Sequence, residues 1–296
     1  EDGKISTSPD GTSDTWTAQT SGTTKDFQGV AYGNNTFVAV GNDGKIFTSD
    51  NGTTWTSRTS GVDKKLYGVT FSIDKFVVVG NTGTILTSPY GTTWTAQTSG
   101  KTTALQGVTY GNDVFMVVGD SGTILASSDG TTWISVNTGV DAGPDGVLDT
   151  ADDFATVVTD SLIGVTHGNT TFIAVGDDGK IFTVPDGSSG APTLWTERSS
   201  GISGPLSGVT YGNGLFVTGG QSGTILTSPD GTTWTAQTSG STKHIKEVVY
   251  GNSKFVAVGE EGTMLTSSVE TTYSATVSTV PMSTTDNSTS NSYQTM

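Results

Sequence analysis

The sequence predicts an all-β chain, a β-propeller of four-stranded antiparallel blades, with seven blades favoured and six as the alternative. Three observations predict it. The phrase GTILTSPDGTTWTAQTSG at 223–240 recurs at 83–100 with one change, Tyr90 for Asp230, and looser copies fill most of the 296 residues. Tryptophans fall at 16, 55, 94, 133, 195 and 234, with Tyr273 in the next place, so the period is 39 residues everywhere except one step of 62. Each period reads as four short β-type runs bounded by Gly, Asn and Asp, with no sustained apolar spacing of the helical kind. Four strands per roughly 40 residues, repeated six or seven times, is the sequence signature of a propeller.

The residues from 105 to 137 show one unit in order. Leu105–Tyr110 is the first strand, and Gly111-Asn112-Asp113 turns it. Val114–Val118 is the second, and Gly119–Gly122 is a tight hairpin in which glycines supply positive φ. Thr123–Ser127 is the third strand. Ser128-Asp129-Gly130 leads through Trp133 into the fourth. Second strands such as Phe37–Val40, Phe76–Val79, Phe172–Val175 and Phe255–Val258 are apolar at nearly every position, as strands covered on both faces are.

The third-strand glycine occurs seven times, at 3, 44, 83, 122, 179, 223 and 262, but the first-strand motif only six times. The chain therefore opens in mid-blade, with a third and fourth strand that need partners from the tail or from sequence upstream. The last repeat carries its own fourth strand near Thr272–Val277. The propeller is placed at residues 1–275, with an insert at 140–160, and a Ser/Thr-rich tail or linker at 276–296.

Composition limits the function. Net charge is −15, from 28 acids and 13 bases, a field that repels phosphate backbones and anionic lipid, so nucleic acid is excluded as a partner. No apolar run is long enough for a membrane helix, which argues against membrane insertion. There is no cysteine, so the fold needs no disulfide.

Ser8-Pro-Asp-Gly11, Ser49-Asp-Asn-Gly52, Ser128-Asp-Gly130 and Ser228-Pro-Asp-Gly231 each precede Thr-Trp. These turns resemble the Asp-box of BNR-type bacterial propellers, which include sialidases and photosystem II assembly factors, although the copies here run one residue shorter. The resemblance covers about residues 1–277. It implies a propeller in which the boxes are structural turns. A sialidase of that family needs three arginines to clamp a carboxylate, and this chain has only Arg58 and Arg198. A basic, arginine-bearing surface of the assembly-factor kind is not supported either.

The 62-residue step carries 23 extra residues. Eighteen lie between Trp133 and Gly164, and they hold Asp141-Ala-Gly-Pro-Asp145-Gly-Val147-Leu-Asp149-Thr-Ala-Asp152-Asp153. Set on the twelve-residue calcium loop, Asp141, Asp145, Asp149 and Asp152 take positions 1, 5, 9 and 12, Gly146 makes the sharp turn at 6, and the Val147 carbonyl takes 7. Asp153 adds a further carboxylate. Gly143 at position 3 offers no side-chain ligand, and Asp at position 12 reaches less far than Glu. The segment resembles Asp-rich calcium motifs of bacterial surface proteins. Six acids (Asp141, Asp145, Asp149, Asp152, Asp153 and Asp160) crowd this stretch and repel one another unless a cation such as calcium lies among them.

This loop joins strand four of one blade to strand one of the next, and so shares a face with the strand two–three hairpins. Their variable pairs, Asn42-Asp43, Asn81-Thr82, Asp120-Ser121, Asp177-Asp178, Gln221-Ser222 and Glu260-Glu261, make that face acidic and varied. The only histidines, His167 and His244, lie in different blades, and His167 stands where other repeats have Tyr. The expected function is a non-catalytic, extracellular propeller. It would be a binding or structural module of a bacterial surface protein, appendage or adhesin, within a larger surface assembly, holding a protein or glycan partner on the insert-bearing face. The alternative is a carbohydrate-active enzyme, a glycoside hydrolase or lyase, with an axial acidic site. The hairpin acids are expected to keep ordinary pKa values, because they sit in solvated turns.

Overall fold

The computed structural model describes residues 3–9, 11, 15–72, 74–136, 140–141, 154–155, 158–186, 195–268 and 277–279. A two-stranded unit opens the chain, β1 (Ile5–Thr7) and β2 (Thr17–Gln19). Blade one is β3 (Phe27–Gly33), β4 (Thr36–Gly41), β5 (Ile46–Ser49) and β6 (Thr56–Arg58). Blade two is β7 (Leu66–Phe71), β8 (Phe76–Gly80), β9 (Ile85–Ser88) and β10 (Thr95–Gln97). Blade three is β11 (Leu105–Gly111), β12 (Val114–Gly119), β13 (Thr123–Ser127) and β14 (Ile134–Ser135), followed by a short pair, β15 (Val140–Asp141) and β16 (Phe154–Ala155). Blade four is β17 (Leu162–Gly168), β18 (Thr171–Gly176), β19 (Ile181–Pro185) and β20 (Thr196–Arg198). Blade five is β21 (Leu206–Gly212), β22 (Leu215–Gly220), β23 (Ile225–Ser228) and β24 (Thr235–Gln237). Blade six is β25 (Ile245–Gly251), β26 (Lys254–Gly259), β27 (Met264–Ser268) and β28 (Val277–Thr279).

The fold is an all-β propeller whose blades are four-stranded antiparallel meanders in strict chain order. Among the described residues six blades are complete, and β1–β2 is a half-blade with third- and fourth-strand sequence. Among the described residues the fourth strand of blade six is Val277–Thr279, pairing Ser267 with Val277 and Leu265 with Thr279; of the expected Thr272–Val277, all but Val277 lies outside the described residues.

Hydrophobic burial between neighbouring blades holds the ring together. The second strands are apolar throughout because one face packs on the blade before and the other on the blade after. Val38, Val40 and Ile46 of blade one meet Leu66, Phe76, Val78 and Leu86 of blade two. Val77, Val79 and Ile85 of blade two meet Leu105, Phe115 and Leu125 of blade three. Trp94, Trp133 and Trp234 close the outer ends of such interfaces. Fully burying a side chain of this size contributes roughly 1.5–3 kcal/mol, so each seam is worth several such terms.

The turn between strands two and three differs from expectation in one respect. Its left-handed residues are not glycines alone. Asp43, Thr82, Ser121, Asp178, Ser222 and Glu261 sit at φ of 53–55°, each just before the repeat glycine. That glycine has no freedom to change, because a Cβ on Gly44 would strike the Val62 carbonyl of the strand four–one loop. The preceding residue is therefore forced left-handed even where it is a β-branched Thr, an unfavourable conformation.

Candidate binding face

The two ends of the barrel-like ring are chemically unlike. On one end lie the Ser-to-Trp turns. In blade three, Ser127 Oγ accepts from the Gly130 amide at 2.8 Å, and Asp129 Oδ1 accepts from the Thr131 and Thr132 amides, both at 2.7 Å. Trp133 Nε1 donates to the Gly130 carbonyl at 3.1 Å. Blade five repeats this with Ser228, Asp230 and Trp234, and blade one with Ser49, Asn51 and Trp55. Hydrogen bonds, led by the Thr132 amide for Asp129 and by the Thr232 hydroxyl for Asp230, hold both carboxyls well below the usual carboxylate range. In blades one, three and five these donors are engaged inside the turn, so the motif maintains the fold.

The opposite end carries the strand two–three turns, and the strand four–one loops close over them. The amide of Asn42 donates to the Asp26 carbonyl at 2.9 Å and that of Gly122 to the Asp160 carbonyl at 3.0 Å. The shared face expected from the topology is therefore present. Its acids are distributed unevenly. At blade one Asp43 pairs with Lys25 at 2.7 Å. At blade six Glu260 pairs with Lys246 at 2.9 Å and Glu261 with Lys243 at 2.5 Å. Between blades three and four the acids converge on one another. Burial, then Asp178, Asp120 and Asp160, push the Asp177 carboxyl up. This corrects the expectation that the hairpin acids keep ordinary values: the loop returning from the insert covers this turn and brings Asp160 alongside. Lys180 answers part of that charge, 2.7 Å from Glu197 and 4.0 Å from Asp160.

The insert ends at this cluster with Asp160. Backbone pairing sets Asp141 opposite Phe154 and Val140 opposite Ala155. The remaining expected calcium ligands, Asp145, Val147, Asp149, Asp152 and Asp153, lie outside the described residues. Among the described residues no three His, Cys, Asp or Glu side chains are grouped to hold a metal, and no helix is long and apolar enough to cross a membrane.

Two features escaped sequence reasoning. Ser207 Oγ stands 2.7 Å from His244 Nε2, the spacing of a nucleophile and its base. Lys246 Nζ lies 3.1 Å from the other ring nitrogen. An ammonium only donates, so Nδ1 accepts and the ring proton sits on Nε2, where it donates to Ser207. Burial, then Lys246, lower the ring's pKa, which keeps it neutral. A ring that already donates to Ser207 cannot take the Ser207 proton, so the pair orders the inner strand instead. His167 is likewise structural: it stacks 4.5 Å from Phe172 and meets Asp186 at 3.0 Å, in the place where other repeats put Tyr on Phe.

The second feature is Glu247. Blades one to five have glycine at this point of strand one (Gly29, Gly68, Gly107, Gly164 and Gly208), and the break in that series is its sequence signal. A Cβ on Gly29 would lie 2.6 Å from the Tyr67 carbonyl of the next blade, and one on Gly107 2.7 Å from that of Ile163. Burial pushes the Glu247 carboxyl up to about 7, although it accepts the Val248 amide at 3.0 Å and the residue still reaches solvent.

No family model and no curated protein matches this chain. Solved structures do. YCF48 bound to D1 peptide is similar at a TM-score of 0.61 and 13% identity, over 90% of this chain and 81% of that one. YCF48 from Cyanidioschyzon merolae gives 0.59 and 18%, over 82% of each chain. YjhT gives 0.59 and 11%, over 86% of this chain and 97% of that one. At such identities the likeness is one of fold, a propeller.

Proposed function

We propose that this chain is a non-catalytic, extracellular binding module that holds a cationic protein segment on its insert-bearing face, with calcium ordering Asp141–Asp153. The observation that carries this reading is the approach of Asp120, Asp160 and Asp178 to Asp177 beside the root of the insert, where burial and then these three charges raise the Asp177 pKa. Acids brought together at a cost in mutual repulsion favour a bound cation or a cationic partner over water. A similar propeller, YCF48, has been solved with a D1 peptide bound, which supports a protein segment over a glycan as the partner. The rest of a surface protein or appendage would present the face.

The test is isothermal titration with calcium, followed by a cationic peptide array with and without calcium. Calcium is expected to bind near neutral pH and to lose affinity in Asp145→Ala. Peptide binding should weaken about tenfold, roughly 1.4 kcal/mol, in the Asp120→Asn/Asp177→Asn double variant, with the fold unchanged by circular dichroism. Absence of calcium binding, or indifference of peptide binding to both variants, would refute it.

Glu247 favours a second reading, a glycoside hydrolase or lyase, since a general acid needs a pKa raised toward neutrality. Turnover in a glycan hydrolysis screen that disappears in Glu247→Gln would establish this reading in place of the first.

A further inference from the structure

Arginine occurs twice in the chain, and both copies stand at one point of the repeat. Arg58 of blade one pairs in register with Ile46, and Arg198 of blade four with Ile181. Blades two and five put Gln97 and Gln237 there, opposite Ile85 and Ile225. All four side chains make the same bond to a third-strand threonine. Gln97 and Gln237 donate to Thr87 and Thr227 at 2.8 and 2.9 Å. Arg58 and Arg198 donate from Nε to Thr48 and Thr183 at 2.8 and 2.9 Å. Glutamine supplies this bond without a charge, so the guanidinium brings something the strand pairing does not use. Its two terminal nitrogens remain as donors. Those of Arg58 make no hydrogen bond or ion pair among the described residues.

A lysine accompanies each arginine, just before the third strand: Lys45 in blade one and Lys180 in blade four, where blades two and five have Thr84 and Thr224. Blade four answers its own charge. Lys180 lies 2.7 Å from Glu197, the residue before Arg198. Blade one has Ser57 in that place, opposite Phe47 as Glu197 is opposite Phe182. The acid of the adjoining turn, Asp43, pairs with Lys25 at 2.7 Å. Lys45 is thus left without an ion-pair partner among the described residues.

Lys45 and Arg58 open on one groove. It is formed by strand four of blade one, the loop after it and the strand two–three turns of blades one and two. Its volume is about 750 Å³, and Lys45, Ser57, Arg58, Thr59 and Lys64 are in its lining. Lys64 has its neighbour Asp63 at 3.2 Å, an exposed pair that holds its charge only weakly. Residues 105–198 carry 13 acids and two bases, so most of the net negative charge belongs to blades three and four and the insert between them. The lining fixes the class of ligand. Three cations call for an anion, and the arginine fork takes two oxygens of one carboxylate or sulfate. The hydroxyls of Ser57 and Thr59 make no bond among the described residues and suit a ligand rich in hydroxyl groups. No aromatic side chain lines the groove, so a nucleotide base finds nothing to stack on. We propose that this groove binds an acidic saccharide, with its carboxylate or sulfate held between Lys45 and Arg58. The site stands apart from the acids around Asp177 and does not depend on the reading given to them.

The test is calorimetric titration of the full chain at low salt with three tetrasaccharides, one of galacturonate, one of sulfated galactose and one of neutral galactose. One-to-one binding of at least one acidic probe is expected, and none of the neutral one. The probe that binds identifies the anion as carboxylate or sulfate. Affinity should fall as salt rises. Two variants leave the strands intact. Arg58→Gln keeps the bond to Thr48, as Gln97 and Gln237 keep theirs, and Ser57→Glu gives Lys45 the partner that Lys180 has. Each should weaken binding about tenfold or more without lowering the Tm. Failure of both acidic probes to bind overturns the proposal. Equal binding of the neutral tetrasaccharide, or full affinity in either variant, overturns it as well.

Discussion

At the scale of single residues, most of the repeat is fixed by backbone amides that need an acceptor. Blade two shows the cost of leaving them without one. Tyr90 replaces the aspartate of the Ser-to-Trp turn, and Ser88 Oγ is then buried with no partner among the described residues. Trp94 still donates to the Gly91 carbonyl at 3.0 Å, so the turn keeps its shape. Tyr90→Asp would give the Thr92 and Thr93 amides an acceptor and Ser88 a partner, the arrangement of Asp129 and Asp230. A turn or cap acceptor of this kind contributes about 1 kcal/mol. The variant should therefore melt roughly 2–4 °C higher by calorimetry. An unchanged or lower Tm would mean that the exposed Tyr90 ring supplies as much as the carboxylate.

At the scale of strands, the seam between blades depends on small residues as much as on large ones. Gly212→Ala would drive a methyl into the Tyr250 ring and should cost about 1–3 kcal/mol, the usual range for overpacking. Gly251→Ala, at the same point of the next blade, meets open space and should change stability by less than about 0.5 kcal/mol. Paired denaturant melts measure the difference, and equal effects would mean that Gly251 is covered as Gly212 is. The sequence shows these strands plainly, because a 39-residue period repeats one pattern and each apolar second strand has to be covered on both sides. It shows the loops less well. The raised pKa of Asp177 comes from burial first and then from Asp178, Asp120 and Asp160, and 57 residues separate Asp120 from Asp177; no local pattern announces their meeting. Glu247 was visible as a break in a glycine series, but its meaning depends on which strand lies opposite.

At the scale of the whole ring, blade six holds a carboxyl at the point of strand one where blades one to five have glycine. Glu247 titrates near 7 in the folded chain, against 4.5 for an ordinary glutamate. The folded state therefore prefers the protonated acid. That preference adds nothing to stability below the unfolded pKa. A penalty grows as pH rises from about 4.5 to 7 and is complete above it. Glu247→Gln should thus equal the parent at pH 4 and exceed it at pH 8. Because the residue reaches solvent, the gain should be no more than about 1 kcal/mol. Melting curves at the two pH values check this, and a gain at pH 4 alone would reverse the sign.

The recurrence of the tryptophan turn has an optical consequence. Trp55, Trp94, Trp133 and Trp234 each donate to a glycine carbonyl at 2.9–3.1 Å. The first three stand 6.3–6.5 Å from the phenylalanine of their own second strand. Chromophores in such matched surroundings emit nearly the same spectrum. The tryptophans of blades one, two, three and five therefore report as one band, which moves to the red as any of those blades opens and its indole is solvated, whereas blade six, which has no tryptophan, is silent.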